Sequence, residues 1–163
     1  MPVVVRPIRL TEAATFLQIH HRAVRGLAAA HYPSPVIEAW TGPLSEERFL
    51  ANPDQEIRLI ADLDGEAVGY GALVLETGEV RACYVVPEAA RKGVGTALVR
   101  ELERIAIQHG VARLDLLSSV NAEPFYAALG YESTEATNHV LRSGQVMAAV
   151  KMSKTLRVAS PIV

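Results

Sequence analysis

The chain has 163 residues, half of them apolar, which is enough for one packed core, so a single domain over residues 1–163 is expected. A net charge of −2, with its 16 Lys and Arg scattered along the chain, leaves no dense basic stripe of the kind a nucleic-acid binder needs. Cys83 is the only cysteine, which excludes an internal disulfide and a cysteine-built zinc site and fits a reducing cytoplasm; no run approaches the roughly 18 apolar residues of a membrane span, and nothing at Met1 to Arg6 suggests export.

Val3 to Val5, stopped by Pro7, reads as a first strand near a sheet edge. Thr11 is the expected N-cap of a helix in which Phe16, Leu17, Ile19, Ala23, Val24 and Leu27 recur at helical spacing to about Ala29. Tyr32-Pro33-Ser34-Pro35 should end it, and the stretch through Trp40, Gly42 and Pro43 reads as irregular with a short helical turn. Ser45-Glu46-Glu47 opens a brief helix carrying Phe49 and Leu50. From Ile57 the period becomes extended. Ile57 to Ala61, a turn at Asp64-Gly65, Ala67 to Leu75, a turn at Thr77-Gly78 and Val80 to Val86 form three consecutive antiparallel strands, closed by Pro87. Leu98, Leu102, Ile105 and Ala106 make an apolar helical stripe opposed by Arg100, Glu101, Glu103, Arg104 and Gln108, with Gly110 as the stop. Leu114 to Leu117 reads as a buried strand and Ala122 to Leu129 as a short helix ended by Gly130. Two strands follow from Tyr131, the last near Val146 to Met152.

The informative segment runs from Val80 to Leu98: strand, glycine turn, helix. Gly93 and Gly95 allow successive N–H groups to converge, and the helix start adds about half a positive charge, so the turn can hold a pyrophosphate, with Arg91 and Lys92 beside it. A nucleoside-triphosphate loop would need lysine after the second glycine, where Thr96 stands. A dinucleotide turn would need glycine at Leu98. Neither motif fits.

These residues resemble the GNAT superfamily of acyl-CoA-dependent N-acetyltransferases. Tyr84-Val85-Val86-Pro87 followed by Arg91-Lys92-Gly93-Val94-Gly95 matches its signature, except that Ala90 occupies the usual Gln or Arg position. A second resemblance lies in Asn121-Ala122-Glu123-Pro124-Phe125-Tyr126 running to Gly130-Tyr131, and both motifs stand in the family's order. The resemblance implies an α+β fold: a mixed, mostly antiparallel central sheet of six or seven strands, flanked by helices. It implies acetyl-CoA as cosubstrate, no metal, and transfer to an amine without an acyl-enzyme. Tyr84, Val85, Val86, Arg91, Lys92, Gly93, Val94, Gly95, Thr96 and Asn121 would then bind the coenzyme. A backbone N–H near Val85 would steady the oxyanion.

Without the second motif, Phe125 and Tyr126 read as aromatic core. With it, Tyr126 matches the family's proton donor to the leaving thiolate, since a phenol stays protonated at neutral pH. The acceptor of the amine's proton stays open among Glu79, Asp115 and a water path. Strand alternation puts Glu79, Arg81, Cys83 and Val85 on one face; the resemblance implies an acid at the position that Arg81 occupies. His31, Tyr32 and Trp40 border the acceptor pocket by resemblance and either contact a substrate or pack the loop. No pair among the five histidines has the spacing of a helical zinc site, so His20 and His21 read as structural or surface residues. Cys83 reads as an inert buried thiol. Arg81 and Ala90 also admit a catalytically degenerate acyl-CoA-binding regulator. Family habit alone suggests a homodimer.

Overall fold

A computed structural model describes residues 2–42, 45–51 and 56–157; Pro43, named above in the irregular segment, lies outside them. One seven-stranded sheet has the order β1-β2-β3-β4-β5-β7-β6. It comprises β1 (Val3–Pro7), β2 (Ile57–Leu63), β3 (Glu66–Val74), β4 (Glu79–Val85), β5 (Arg113–Ser119), β6 (Glu132–Val140) and β7 (Val146–Thr155). Every neighbouring pair is antiparallel except β4 and β5. The turn between β2 and β3 takes Asp64 at φ 55° and Gly65 at φ 81°, the left-handed pair that a two-residue hairpin requires.

The helices are α1 (Ala13–Ala23), α2 (Ser34–Thr41), α3 (Glu46–Leu50), α4 (Val94–Gln108) and α5 (Glu123–Ala128). None of those described is long and apolar enough to cross a membrane. Three local expectations are corrected. Thr11 does not cap α1: a 3-10 turn over Leu10–Glu12 precedes it, and the Glu12 carboxylate accepts the Arg9 N–H at 2.9 Å while pairing with Arg6. The prolines at 33 and 35 start a helix of eight residues in place of the expected irregular stretch with only a short helical turn, because the first-turn N–H groups of α2 need no intrahelical partner. And α1 does not run on as a regular helix, since Val24–Ala28 widens into a π-helical turn.

On one sheet face α4 buries Leu98, Leu102 and Ala106 completely. Gly69 and Gly71 of β3 admit it: a Cβ on Gly69 would stand 2.8 Å from a Val94 methyl. On the other face Phe16 of α1 stacks on Phe49 at 4.5 Å and meets Tyr70 of β3 at 4.4 Å. Glu103, expected on the solvent side of α4, is only 6% exposed.

Candidate active site

The parallel pair at the centre of the sheet is short. β4 meets β5 only at Glu79↔Asp115 and Val80↔Leu116, after which the two strands diverge. Val86 donates its N–H to the Val68 carbonyl, 2.9 Å away across β3. Since neighbouring amides along a strand point to opposite edges, the Val85 N–H faces the opening. A cleft of about 1360 Å³ runs through this gap.

A bulge decides which side chains reach it. β4 pairs Ala72 with Ala82 but Leu73 with Val80, so Arg81 is the extra residue. The extra residue breaks the alternation expected for this strand. Cys83 lies opposite Gly71 and Val80 opposite Leu73, on the α4 face, whereas Glu79 falls opposite Val74 with Ala82 and Tyr84 on the α1 face. Glu79 therefore does not share a face with Cys83 and Val85. Arg81 turns back to Glu79 at 3.1 Å and to Glu56 at 2.8 Å.

At one end of the cleft, Arg91 and Gly93 take left-handed φ values of 61° and 81°, and for a non-glycine residue that conformation costs about 1–2 kcal/mol. The first regular bond of α4 is Ala97 N–H to the Gly93 carbonyl at 3.0 Å. The N–H groups of Val94, Gly95 and Thr96 thus lack intrahelical partners, and these three residues line the cleft with Arg91 and Gly93. Gly95 lets this turn approach α5, since a Cβ there would stand 2.9 Å from Phe125 Cζ. Asn121 also lines the cleft, and its buried Oδ1 has no partner among the described residues. That orphaned acceptor fits an amide N–H of a bound ligand.

Tyr126 reaches the same cleft from α5 and is 7% exposed. Burial first, and the neighbouring Cys83, Tyr84 and Tyr131, raise its pKa well above the ordinary phenol value, so it is a neutral donor at any physiological pH. Burial likewise pushes the Cys83 thiol up to about 12.

The other expected residues divide. Tyr84, Val85, His31, Trp40 and Glu79 border the cleft. Val86 and Lys92 are not among its lining residues; Val86 is buried and Lys92 is exposed. Two sequence assignments are corrected. Tyr32 is core: its hydroxyl donates to the Ala148 carbonyl at 2.6 Å and accepts the Val120 N–H at 2.8 Å, and it does not line the cleft. Asp115 lies beside the start of the splay, does not line the cleft and pairs with Arg113 at 3.0 Å.

His20 was not anticipated. It borders the cleft from α1, is 4% exposed, and stands edge-on to Tyr84 at 4.7 Å. Burial, aided by the charge of His21, lowers its pKa to about 4 and keeps the ring neutral. Its spacing from Phe16, Ala23 and Val24 carried the signal, since these share one helical face.

The splayed sheet, the open-ended helix and the buried phenol together define an N-acetyltransferase-type domain. A family model described as "Acetyltransferase (GNAT) family" matches residues 21–131, and the chain belongs to that family of enzymes. A GCN5-related N-acetyltransferase from Rhodopseudomonas palustris superposes with a TM-score of 0.90 at 29% identity, covering 96% of this chain and 97% of that one. PaiA N-acetyltransferase from Thermoplasma acidophilum, solved with coenzyme A, shares the fold at TM-score 0.77 and 20% identity over 95% and 99% of the two chains. The uncharacterized N-acetyltransferase MJ1207 of Methanocaldococcus jannaschii is 24% identical over 150 residues, 85% of this chain; the chain spans 64% of that relative's length.

Proposed function

We propose that the protein transfers an acetyl group from acetyl-CoA directly to a primary amine of a small molecule or peptide, as one domain over residues 1–163. The observation that carries this reading is that the Arg91–Thr96 turn, the unpartnered Asn121 Oδ1 and Tyr126 all border one cleft at the sheet's splay. Open amides at the start of α4 would hold the diphosphate, with the guanidinium of Arg91 adding charge. Asn121 would accept a hydrogen bond from the pantetheine amide chain. The amine forms a C–N bond at the thioester carbonyl, the Val85 N–H stabilises the resulting oxyanion, and the C–S bond breaks as Tyr126 donates its proton to the departing thiolate. Glu79 or water takes the proton the amine loses. Trp40 and His31, which also line the cleft, would contact the acceptor. The protein is read as cytoplasmic, working without nucleic acid or membrane, and pairing into a homodimer is a further expectation that sedimentation would check.

Calorimetric titration with CoA, paired with thiol release from acetyl-CoA over a panel of amines, tests the reading. Tyr126→Phe should retain CoA affinity and lose about 10²-fold or more in kcat. Full turnover in that variant, or no heat of CoA binding, would refute it.

A further inference from the structure

Tyr126 sits on a helix of six residues, too short to hold an orientation unaided. Its support comes from a buried network centred on Glu103. Tyr131 stands edge-on to the Tyr126 ring at 5.8 Å, and its N–H donates to the Tyr126 carbonyl at 3.1 Å. The Tyr131 hydroxyl donates to Glu103 Oε2 at 2.9 Å. Lys154 Nζ donates to the same oxygen at 2.9 Å and to the carbonyl of Leu129, at the end of α5, at 2.8 Å. Arg100 closes on Glu103 Oε1 at 2.9 Å. Burial would raise the Glu103 pKa, but hydrogen bonds from Lys154, Arg100 and Tyr131 outweigh it and hold the group below the usual carboxylate range.

The network's place in the fold gives it consequence. β4 and β5 share only two residue pairs, so the sheet itself holds its two halves together weakly at the cleft. Glu103 belongs to α4, whose first turn borders one end of the site, while Lys154 belongs to β7 and Tyr131 directly precedes β6. A charged carboxylate with three donors thus ties the α4 side to the side that carries Tyr126.

We infer that Glu103 is a positioning residue, acting through Tyr131 and Lys154 to aim the Tyr126 hydroxyl into the cleft. The inference rests on Tyr126 as the proton donor. Because a displacement of about 1 Å at a reacting group can cost up to 10²-fold, loosening the network should lower kcat while leaving the coenzyme end alone.

A double-mutant cycle tests this, with thiol release from acetyl-CoA as readout and spermidine, an aminoglycoside and an alanine-terminated peptide as acceptors. Tyr131→Phe, which keeps the ring and loses one hydrogen bond, should reduce kcat about tenfold, with Kd for CoA within about twofold of the parent. In a Tyr126→Phe background the same change should cost less than about twofold, because groups acting as a unit are not additive. Glu103→Gln, which keeps an acceptor oxygen, should lose less than Glu103→Ala. On the protein alone, the 19F resonance of fluorotyrosine at position 126 should move or broaden in Tyr131→Phe and in Glu103→Gln. An unmoved resonance, an equal loss of kcat in both backgrounds, or no loss in Tyr131→Phe would overturn the inference alone. Full activity in Tyr126→Phe would overturn the reading of Tyr126 and this inference with it.

Discussion

Replacing Gly26 with alanine sets two effects against each other. Gly26 lies in the π-helical turn that follows α1, and by helix propensity alone Gly→Ala should stabilise by about 1 kcal/mol. The structure reverses the sign. A Cβ at Gly26 would stand 2.0 Å from Pro87 Cγ, and 3.4 Å is where ordinary contact begins, so the two elements must part by about 1.4 Å. Pro87 has little room to retreat. It follows Val86, which is 1% exposed and bonded to Val68, and opens the 3-10 turn Pro87–Ala89 that leads into the Arg91–Thr96 turn. Overpacking of this kind costs about 1–3 kcal/mol. An approach of 2.0 Å belongs at the upper end of that range, about 2–3 kcal/mol; net of about 1 kcal/mol of propensity, about 1–2 kcal/mol of destabilisation is expected, a fall in Tm of roughly 2–8 °C for a domain of this size. Because Val24 and Leu27 beside Gly26, and Val85 and Ala90 on either side of the Pro87–Ala89 turn, line the cleft, CoA affinity or acceptor KM should worsen as well. Scanning calorimetry of Gly26→Ala, Pro87→Ala and the double variant checks it: Pro87→Ala removes Cγ and should recover most of the loss in the Gly26→Ala background. An unchanged or raised Tm in Gly26→Ala would refute the reasoning.

Tyr32→Phe removes a hydroxyl that satisfies both the Ala148 carbonyl and the Val120 N–H; it should cost about 1–3 kcal/mol in urea unfolding while leaving acceptor KM near the parent value, whereas Trp40→Ala should change acceptor KM. His20 has a folded pKa depressed from 6.5 to about 4, so its contribution is fully present above about pH 6.5 and is lost as pH falls toward about 4. Between about pH 7 and pH 5 stability should drop by about 2 kcal/mol on its account, and His20→Phe should flatten that dependence; an equal slope in both proteins would contradict the assignment. Cys83, its thiol pushed up to about 12 by burial, should react with an aromatic disulfide reagent at pH 8 far more slowly in the folded protein than after unfolding, although it borders the cleft.

The sequence was legible where structure is written locally. Asp64-Gly65 and Gly78 mark turns through their own backbone freedom, the α4 stripe is set by periodicity, and the two motifs flank the cleft because a strand-turn-helix and an Asn-led helix carry their chemistry in consecutive residues. What escaped depends on contacts distant in sequence or on a single inserted residue. The bulge at Arg81 leaves no local mark, yet it moves Glu79 to the other face of β4 from Cys83 and Val85. Tyr32 looked like a loop aromatic because its partners lie 88 and 116 residues away. Glu103 looked solvent-facing among charged neighbours because Lys154, 51 residues on, is what neutralises it. The prolines at the N-cap and in the first turn of α2 suggested a break where first-turn geometry in fact welcomes proline.

A crystal structure with CoA bears most directly on the central claim that the α4 amides and Tyr126 grip the two ends of one ligand. The account expects the diphosphate oxygens about 3 Å from the N–H groups of Val94, Gly95 and Thr96 and the sulfur beside the Tyr126 hydroxyl. A coenzyme bound elsewhere, or a Tyr126 hydroxyl remote from the sulfur, would contradict it.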